Sequence, residues 1–275
     1  MPRIATLGPE GSFSEEAAAE YGKRFRESKI LLMDDPEDII GLARGADLGL
    51  LAIENSLEGS IALTLDLMRE MKSVICDEVV LRIRHSLVGN SDLRSVVKVF
   101  SHPAALAQCR RFLKRELPHA ELVVASSTAQ GAKLASAEPR SAAIASVRAA
   151  RIYGLRAIAE DIQDQETYTR FIVVGKSMPG PSGRDKTSLI IVVKDSSGAL
   201  YRALEPFARR GINLTKIESR PSKRALGEYV FFTDFDGHVS DPGSEKALAE
   251  LSRVCVSLKV LGSYPAATFP QPPAP

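Results

Sequence analysis

The tightest constraint on the fold is a pattern that the first part of the chain repeats: a short apolar run, a polar turn, then a helix-forming stretch. Ile4–Leu7 leads through Gly8-Pro9-Glu10-Gly11-Ser12 to Phe13, Ala17, Tyr21 and Phe25, four residues apart on one helix face. Ser12 and Glu15 have the spacing of a capping box. Leu48–Ile53 leads through Glu54-Asn55-Ser56-Leu57-Glu58-Gly59-Ser60 to a helix through Leu63, Leu67 and Met71. Val97–Phe100 leads through Ser101-His102-Pro103 to a helix with Leu106, Cys109, Phe112 and Leu113 on one face. Leu122–Ala125 precedes Ser126-Ser127-Thr128 and a helix through Leu134. Ser141–Ala145 precedes Ser146, the N-cap of a helix carrying Arg148 and Arg151. Such repetition predicts an α/β fold with largely parallel sheets, whose ligands sit beyond the carboxyl ends of the strands.

Those strand ends carry hydroxyls, amides and glycines at helix starts, where free N–H groups and the helix dipole favour an anion. Capping alone, worth ~1 kcal/mol, accounts for any one of these Ser or Thr residues. It does not account for Glu54-Asn55-Ser56 ahead of a helix start. Nor does it require Gln108, which falls on nearly the same helix face as Ser101. A further stretch, Asp161–Phe171, is polar from Gln163 to Thr169 and then enters the apolar Ile172-Val173-Val174. A hydrophilic approach to a buried strand places reactive groups on a rigid support, here Thr169-Arg170-Phe171. Arg170 either anchors a carboxylate bidentately or pairs with a nearby Asp or Glu. Phe171 reads as core, and His102 as a cap or orienting group. His85, His119 and His238 stand in surface-like or turn settings and receive no role.

After the Pro/Gly-rich break around Lys176–Arg184 the order changes. Thr187–Val193 is a strand, and a helix through Leu200, Leu204, Phe207 and Ala208 ends at Gly211. Strands Ile212–Arg220 and Glu228–Phe235 flank a turn at Pro221–Gly227, followed by a helix at Asp241–Ser252 and a strand at Val254–Leu261. The order βαββαβ is the ferredoxin-like plait. The proline-rich end from Tyr264 is expected to be disordered. With 275 residues and a net charge of +2, the chain suits two domains and offers no charged face for nucleic acid or membrane. No apolar run reaches the roughly 20 residues of a membrane span, and no signal peptide opens the chain. Three scattered cysteines fit a reducing cytoplasm. No cluster has metal-ligand spacing, and Gly8-Pro9-Glu10-Gly11 lacks the Lys-Ser/Thr ending of a phosphate-binding loop, so no nucleotide is expected.

Thr6–Ser14, Ile53–Ser56, Ser101–Pro103, Thr169–Phe171, Gly198–Leu200 and Glu218–Pro221 stand in the order found in prephenate dehydratases. The chain resembles that family over about residues 3–262. The resemblance implies a two-lobed catalytic domain like type 2 periplasmic binding proteins over residues 1–176, a linker at 177–185, an ACT regulatory domain at 186–263 and a tail from 264. With no chorismate mutase segment ahead of the motifs, it implies the monofunctional form. It implies a cytoplasmic lyase that converts prephenate to phenylpyruvate without a cofactor. Thr169 takes the family's essential hydroxyl, with Glu54, Asn55 and Ser56 as catalytic neighbours. Ser12, Ser101, Gln108, Thr128 and Arg170 become substrate contacts. Gly198, Ala199 and Leu200, then Asn213 and Leu214, then Glu218, Ser219, Arg220 and Pro221 fall on motifs for a phenylalanine effector. That effector is expected between copies of a homodimer or homotetramer, and a chain cut near Ser177 is expected to keep turnover while losing the response. Thr167 departs from the pattern, because the family often has Asn there. The alternatives are an arogenate dehydratase and a catalytically silent amino-acid sensor; the intact Thr169-Arg170-Phe171 argues against the sensor.

Overall fold

A computed structural model of the chain describes residues 1–45, 47–222 and 229–268. The elements begin with β1 (Arg3–Leu7), α1 (Phe13–Gly22), β2 (Lys29–Met33), α2 (Pro36–Leu42), β3 (Leu48–Asn55), β4 (Gly59–Ser60), α3 (Ala62–Glu70), β5 (Val74–Ile83) and β6 (Ser86–Gly89). They continue with β7 (Lys98–Ser101), α4 (Pro103–Gln108), α5 (Arg110–Glu116), β8 (Glu121–Val124), α6 (Thr128–Ala137), β9 (Ser141–Ala145), α7 (Val147–Ile152), β10 (Arg156–Ala159) and β11 (Thr167–Gly175). The last part holds β12 (Asp185–Val192), α8 (Ala199–Ala208), β13 (Leu214–Pro221), β14 (Tyr229–Asp236), α9 (Pro242–Val254) and β15 (Ser257–Pro265). The chain divides into two compact units, one of residues 1–42, 47–61 and 80–171, the other of 43–46, 62–79 and 172–275.

The α/β class expected from the pattern is present. One sheet has the order β2-β1-β3-β11-β5, with β4 paired to β3; a second has the order β10-β6-β9-β7-β8. β1 runs parallel to β2 and β3, and β7 parallel to β8 and β9. The sheets are nevertheless mixed, since β6 is antiparallel to both β9 and β10. The strand–turn–helix pattern finds only strands that a helix follows. β6 and β10 lack one, and parallel pairing needs a crossover of a dozen or more residues. β9 is buried along its whole length. Its alanines at 142, 143 and 145 leave room for helices, and α6 approaches β7 so closely that a Cβ on Gly131 would lie 2.9 Å from the Phe100 carbonyl oxygen.

The second unit contains the plait expected from the βαββαβ order, as an antiparallel sheet β13-β14-β12-β15. Leu189, Ile191, Ala203, Phe207, Phe235 and Leu251 form its core with α8 and α9. The unit also takes in α3 and the first half of β5, which lie more than 100 residues earlier in the chain. Lys259 on β15 donates to the Met68, Arg69 and Met71 carbonyls at 3.1, 2.9 and 2.7 Å. These include the carbonyls that the end of a helix leaves unpaired. Lys186 on β12 meets the fully buried Glu78 of β5 at 2.8 and 3.0 Å.

The tail expected from Tyr264 is ordered at its start. Tyr264 faces inward on β15, is fully buried and bonds Ser188 at 2.7 Å, because its register opposite Lys186 turns the ring into the unit. Residues 269–275 lie outside the described residues, as does the turn expected at Pro221–Gly227 beyond Ser222. Among the described residues no helix is long and apolar enough to cross a membrane.

Candidate active site

The first unit holds a cavity of about 520 Å³, a volume suited to a small metabolite. Strand ends and helix starts surround it, as the strand–turn–helix pattern requires. Ser12 caps α1 by accepting from Glu15 N at 3.2 Å, and Ser127 caps α6 by accepting from Gln130 N at 3.0 Å. His102 caps α4, its Nδ1 accepting from Ala104 N at 3.3 Å. All three caps line the cavity, as does Thr128 in the first turn of α6. The expected capping box at Ser12 is only half formed. Glu15 turns its carboxylate to Gly11 N at 2.6 Å and to Arg148 at 2.6 Å, so one of the two carboxylates in the first turn is paired. The described residues that line the cavity include no Lys or Arg. An anion there meets helix N-termini and hydroxyls.

Thr169 reaches the cavity from β11 and is 8% exposed. Its Oγ1 accepts from Asn55 Nδ2 at 3.0 Å. The Asn55 amide is held from the other side, because Oδ1 accepts from Leu57 N at 2.9 Å, Glu58 N at 3.2 Å and Thr167 Oγ1 at 3.3 Å. Those donors fix which end of the amide faces Thr169. With an acceptor lone pair filled by Asn55, the Thr169 hydroxyl has its proton to donate. Thr167, at the departing position, bonds both Asn55 and Ser56. Ser56 Oγ accepts from Tyr168 N at 3.0 Å and Ser56 N donates to Tyr168 O at 2.9 Å, which fastens the loop after β3 to β11.

Other expected site residues lie apart from the cavity lining. Glu54 accepts from Arg170 Nε at 2.6 Å, and the arginine side chain is 2% exposed. Of the two roles open to Arg170, the structure gives the ion pair. Ser101 is fully buried and donates to the Ile144 carbonyl at 2.7 Å. Phe171, 1% exposed, packs into the core and also forms part of the cavity wall.

Gln108 lies on the wall, and its setting involves two residues that sequence reasoning left without a role. Its Nε2 donates to Glu58 Oε1 at 2.9 Å and its Oε1 faces His85 Nε2 at 3.0 Å. His85 is buried rather than surface-like. It joins β5 to β6, between the buried Ile83 and the buried Leu87 and Val88, and that apolar flanking was the available signal. Burial pushes its affinity for protons below the ordinary 6.5, against smaller opposing effects of the Gln108 bond and the Glu58 charge. The helix expected through Leu106, Cys109, Phe112 and Leu113 is broken after Gln108. Asp164 N donates to the Gln108 carbonyl at 2.7 Å, and the Asp164 carboxylate accepts from Arg111 N at 3.2 Å in the first turn of α5. A distant loop thereby ends one helix and starts the next.

In the second unit, Gly198 has φ of 74° and begins α8, with Ala199 and Leu200 as its first residues. The register aligns Val192, which leads towards Gly198, with Val230 and then Arg220. Ser219, Arg220 and Pro221 therefore share a sheet end with Gly198, and Glu218 lies just inside it. Asn213 and Leu214 sit at the other end of β13, where Leu214 opposes Phe235 and Asn213 donates to Asp236 at 2.8 Å. Across β13 that separation is roughly 20 Å. Arg220 Nη2 approaches Asp66 of α3 at 3.4 Å.

The prephenate dehydratase family model matches residues 4–179, and the ACT domain model matches residues 187–253. The chain is 43% identical over 268 residues to a bifunctional chorismate mutase/prephenate dehydratase from Aquifex aeolicus, covering 96% of this chain and 74% of that one. Among solved structures, a prephenate dehydratase from Arthrobacter aurescens in complex with L-Phe is 34% identical, with a TM-score of 0.86 over 98% of this chain and 93% of that one. GqqA, described as a novel type of quorum quenching acylase, is 30% identical, with a TM-score of 0.88 over 98% of this chain and all of that one. By its family-model match and its identity to these relatives, the chain belongs to the prephenate dehydratase family and carries an ACT domain in its second half.

Proposed function

We propose that the chain converts prephenate to phenylpyruvate, with residues 1–176 carrying the reaction and 186–263 its regulation. The observation that carries this reading is the Asn55–Thr169 hydrogen bond, which leaves the Thr169 proton available at the cavity. Prephenate loses carbon dioxide and water together. The electron pair of the breaking C–CO2 bond enters the ring, and the opposite C–O bond breaks as the hydroxyl leaves with a proton. Aromatisation drives the step, so the protein must supply a hydrogen-bond donor to the leaving oxygen, an anchor for the retained carboxylate and exclusion of water. Thr169 supports the first role. A free alcohol is a weak acid, so it acts as a pre-aimed donor. The N-termini of α1 and α6, capped by Ser12 and Ser127, support the second, together with Thr128 and Gln108. Glu54, Arg170, Ser56 and Ser101 support the site from behind through the bonds described above. An acylase would set a nucleophile beside a base, whereas Thr169 bonds the Asn55 amide and His85 faces the Gln108 amide.

Phenylalanine, the product's amino acid, is the effector we assign to the second unit, in a cytoplasmic enzyme. Gly198–Leu200 and Glu218–Pro221 offer helix N–H groups and polar side chains to its carboxylate and ammonium. The distance to Asn213 within one chain favours a site completed by a second copy. Purified protein given prephenate should form phenylpyruvate, read by its ultraviolet absorbance, and phenylalanine should lower the rate. Absence of turnover overturns the reading.

Glu58 favours a second reading, because it places a carboxylate on the cavity wall where the ammonium of arogenate would bind. Glu58→Gln should lower kcat/KM for arogenate more than for prephenate if arogenate is the substrate. Equal effects on both leave prephenate.

A further inference from the structure

We propose that His85 is a positioning residue for this reaction, its neutral ring donating from Nε2 to hold the Gln108 amide with its NH2 group turned to Glu58 and the substrate. The proposal rests on the dehydratase reading of the cavity. Gln108 is held at three points: its main-chain carbonyl by Asp164 N, its Nε2 by Glu58 at 2.9 Å and its Oε1 by His85 at 3.0 Å. Only one orientation of the amide satisfies both side-chain partners. With NH2 towards the Glu58 carboxylate, the amide oxygen must face a donor, so the proton of His85 sits on Nε2. A reversed amide would set its oxygen against the Glu58 carboxylate.

His85 is itself fixed in place. Its N donates to Gln163 Oε1 at 2.9 Å, its carbonyl accepts from Ile162 N at 2.9 Å, and its ring meets Phe13 edge-on at 5.6 Å. Gln163 and Ile162 belong to the same stretch as Thr169, so one segment positions both groups. The second ring nitrogen, Nδ1, is buried without a hydrogen-bond partner. Packing alone would be served better by a residue without that stranded acceptor. The hydrogen bond that the ring does make is the one from Nε2 to Gln108. Burial keeps the ring uncharged near neutral pH, with Glu58 the ionisable group whose charge acts on it.

A double-mutant cycle tests this with prephenate as substrate. His85→Met, of similar bulk and without the donor, should lower kcat/KM about 10-fold or more, as should Gln108→Leu. The double variant should be no worse than Gln108→Leu alone, because His85 acts through Gln108. His85→Gln, which can place an NH2 near the Nε2 position, should recover most of the loss. Independent, multiplicative losses or parent-like turnover of His85→Met overturn the proposal. The ring is read separately by nitrogen-15 NMR of the parent, which should show Nε2 protonated and Nδ1 bare at neutral pH, with the Nε2 signal moving in Gln108→Leu. A ring protonated at Nδ1 overturns the proposal whether or not prephenate is turned over, whereas failure of the parent to turn over prephenate overturns only the dehydratase reading.

Discussion

Thr169 and His85 are the two residues whose chemistry the structure aims most specifically. Under the proposed mechanism, removing the Thr169 hydroxyl takes away the donor to the leaving oxygen, while Asn55 and the helix N-termini at the cavity remain. Thr169→Ala is expected to reduce kcat by at least ~100-fold with KM little changed, and Thr169→Ser to retain much of the rate. Steady-state kinetics on both variants decide it, and full activity in the alanine variant rules Thr169 out as donor. His85 gives a pH signature in stability. Its folded-state proton affinity lies below the ordinary 6.5. As pH falls through that value the unfolded chain takes up a proton that the buried ring resists, so stability is complete above it and declines below it. The urea midpoint of the parent should therefore fall further between about pH 7.5 and about pH 5.5 than that of His85→Gln. Equal falls would show that His85 is not the group responsible. The apolar flanks of His85 were legible in the sequence, but its partner Gln108, 23 residues further on, was not.

At the scale of elements, helix starts and strand ends were the legible part. Ser12, Ser127, Ser146 and His102 cap α1, α6, α7 and α4 because capping is decided by residues within a few positions of each other. The division of α4 from α5 was not legible. Asp164 makes it, from across the fold. Close approach of strands is likewise a tertiary matter. A Cβ on Gly262 of β15 would lie 2.1 Å from the Ile75 carbonyl oxygen of β5, at a point where the β12–β15 register shifts. Gly262→Ala should cost at least ~2 kcal/mol, because backbone cannot move aside as a side chain can. A methyl group on Gly243 of α9 would meet nothing within 4 Å, so Gly243→Ala is the matched control and should be neutral or slightly stabilising. Urea unfolding of the two variants reads the difference.

At the scale of the whole molecule, the boundary near residue 177 matters less than the sequence implies. α3 and Val74–Val79 belong with the plait. A cut near Ser177 removes Lys186 from the buried Glu78 and Lys259 from the α3 carbonyls, so such a fragment loses folding partners as well as the proposed effector site. A point change is the sounder probe of regulation. Arg220, on β13, bonds Asp66 of α3, and α3 begins directly after Ile61 of the cavity wall. Asp66→Asn should therefore weaken inhibition by phenylalanine about 5-fold or more without touching the effector or the substrate. Rate against phenylalanine concentration measures this. An unchanged inhibition constant would remove α3 from the route.

Several properties were set by the sequence itself: the α/β class, the plait, the helix caps around the cavity, and the family motifs with Thr169 among them. Each depends on period, spacing or neighbours a few residues apart, which local sterics and hydrogen bonding translate directly into structure. Tertiary structure alone decided that Arg170 meets Glu54, that Ser101 turns inward, that Asp164 interrupts a helix, that His85 holds Gln108, and that α3 joins the second unit. In each case the partner lies tens of residues or more away in the chain. Such contacts arise only when burial brings distant segments together, and a buried polar group must then find its hydrogen bond wherever the fold provides one.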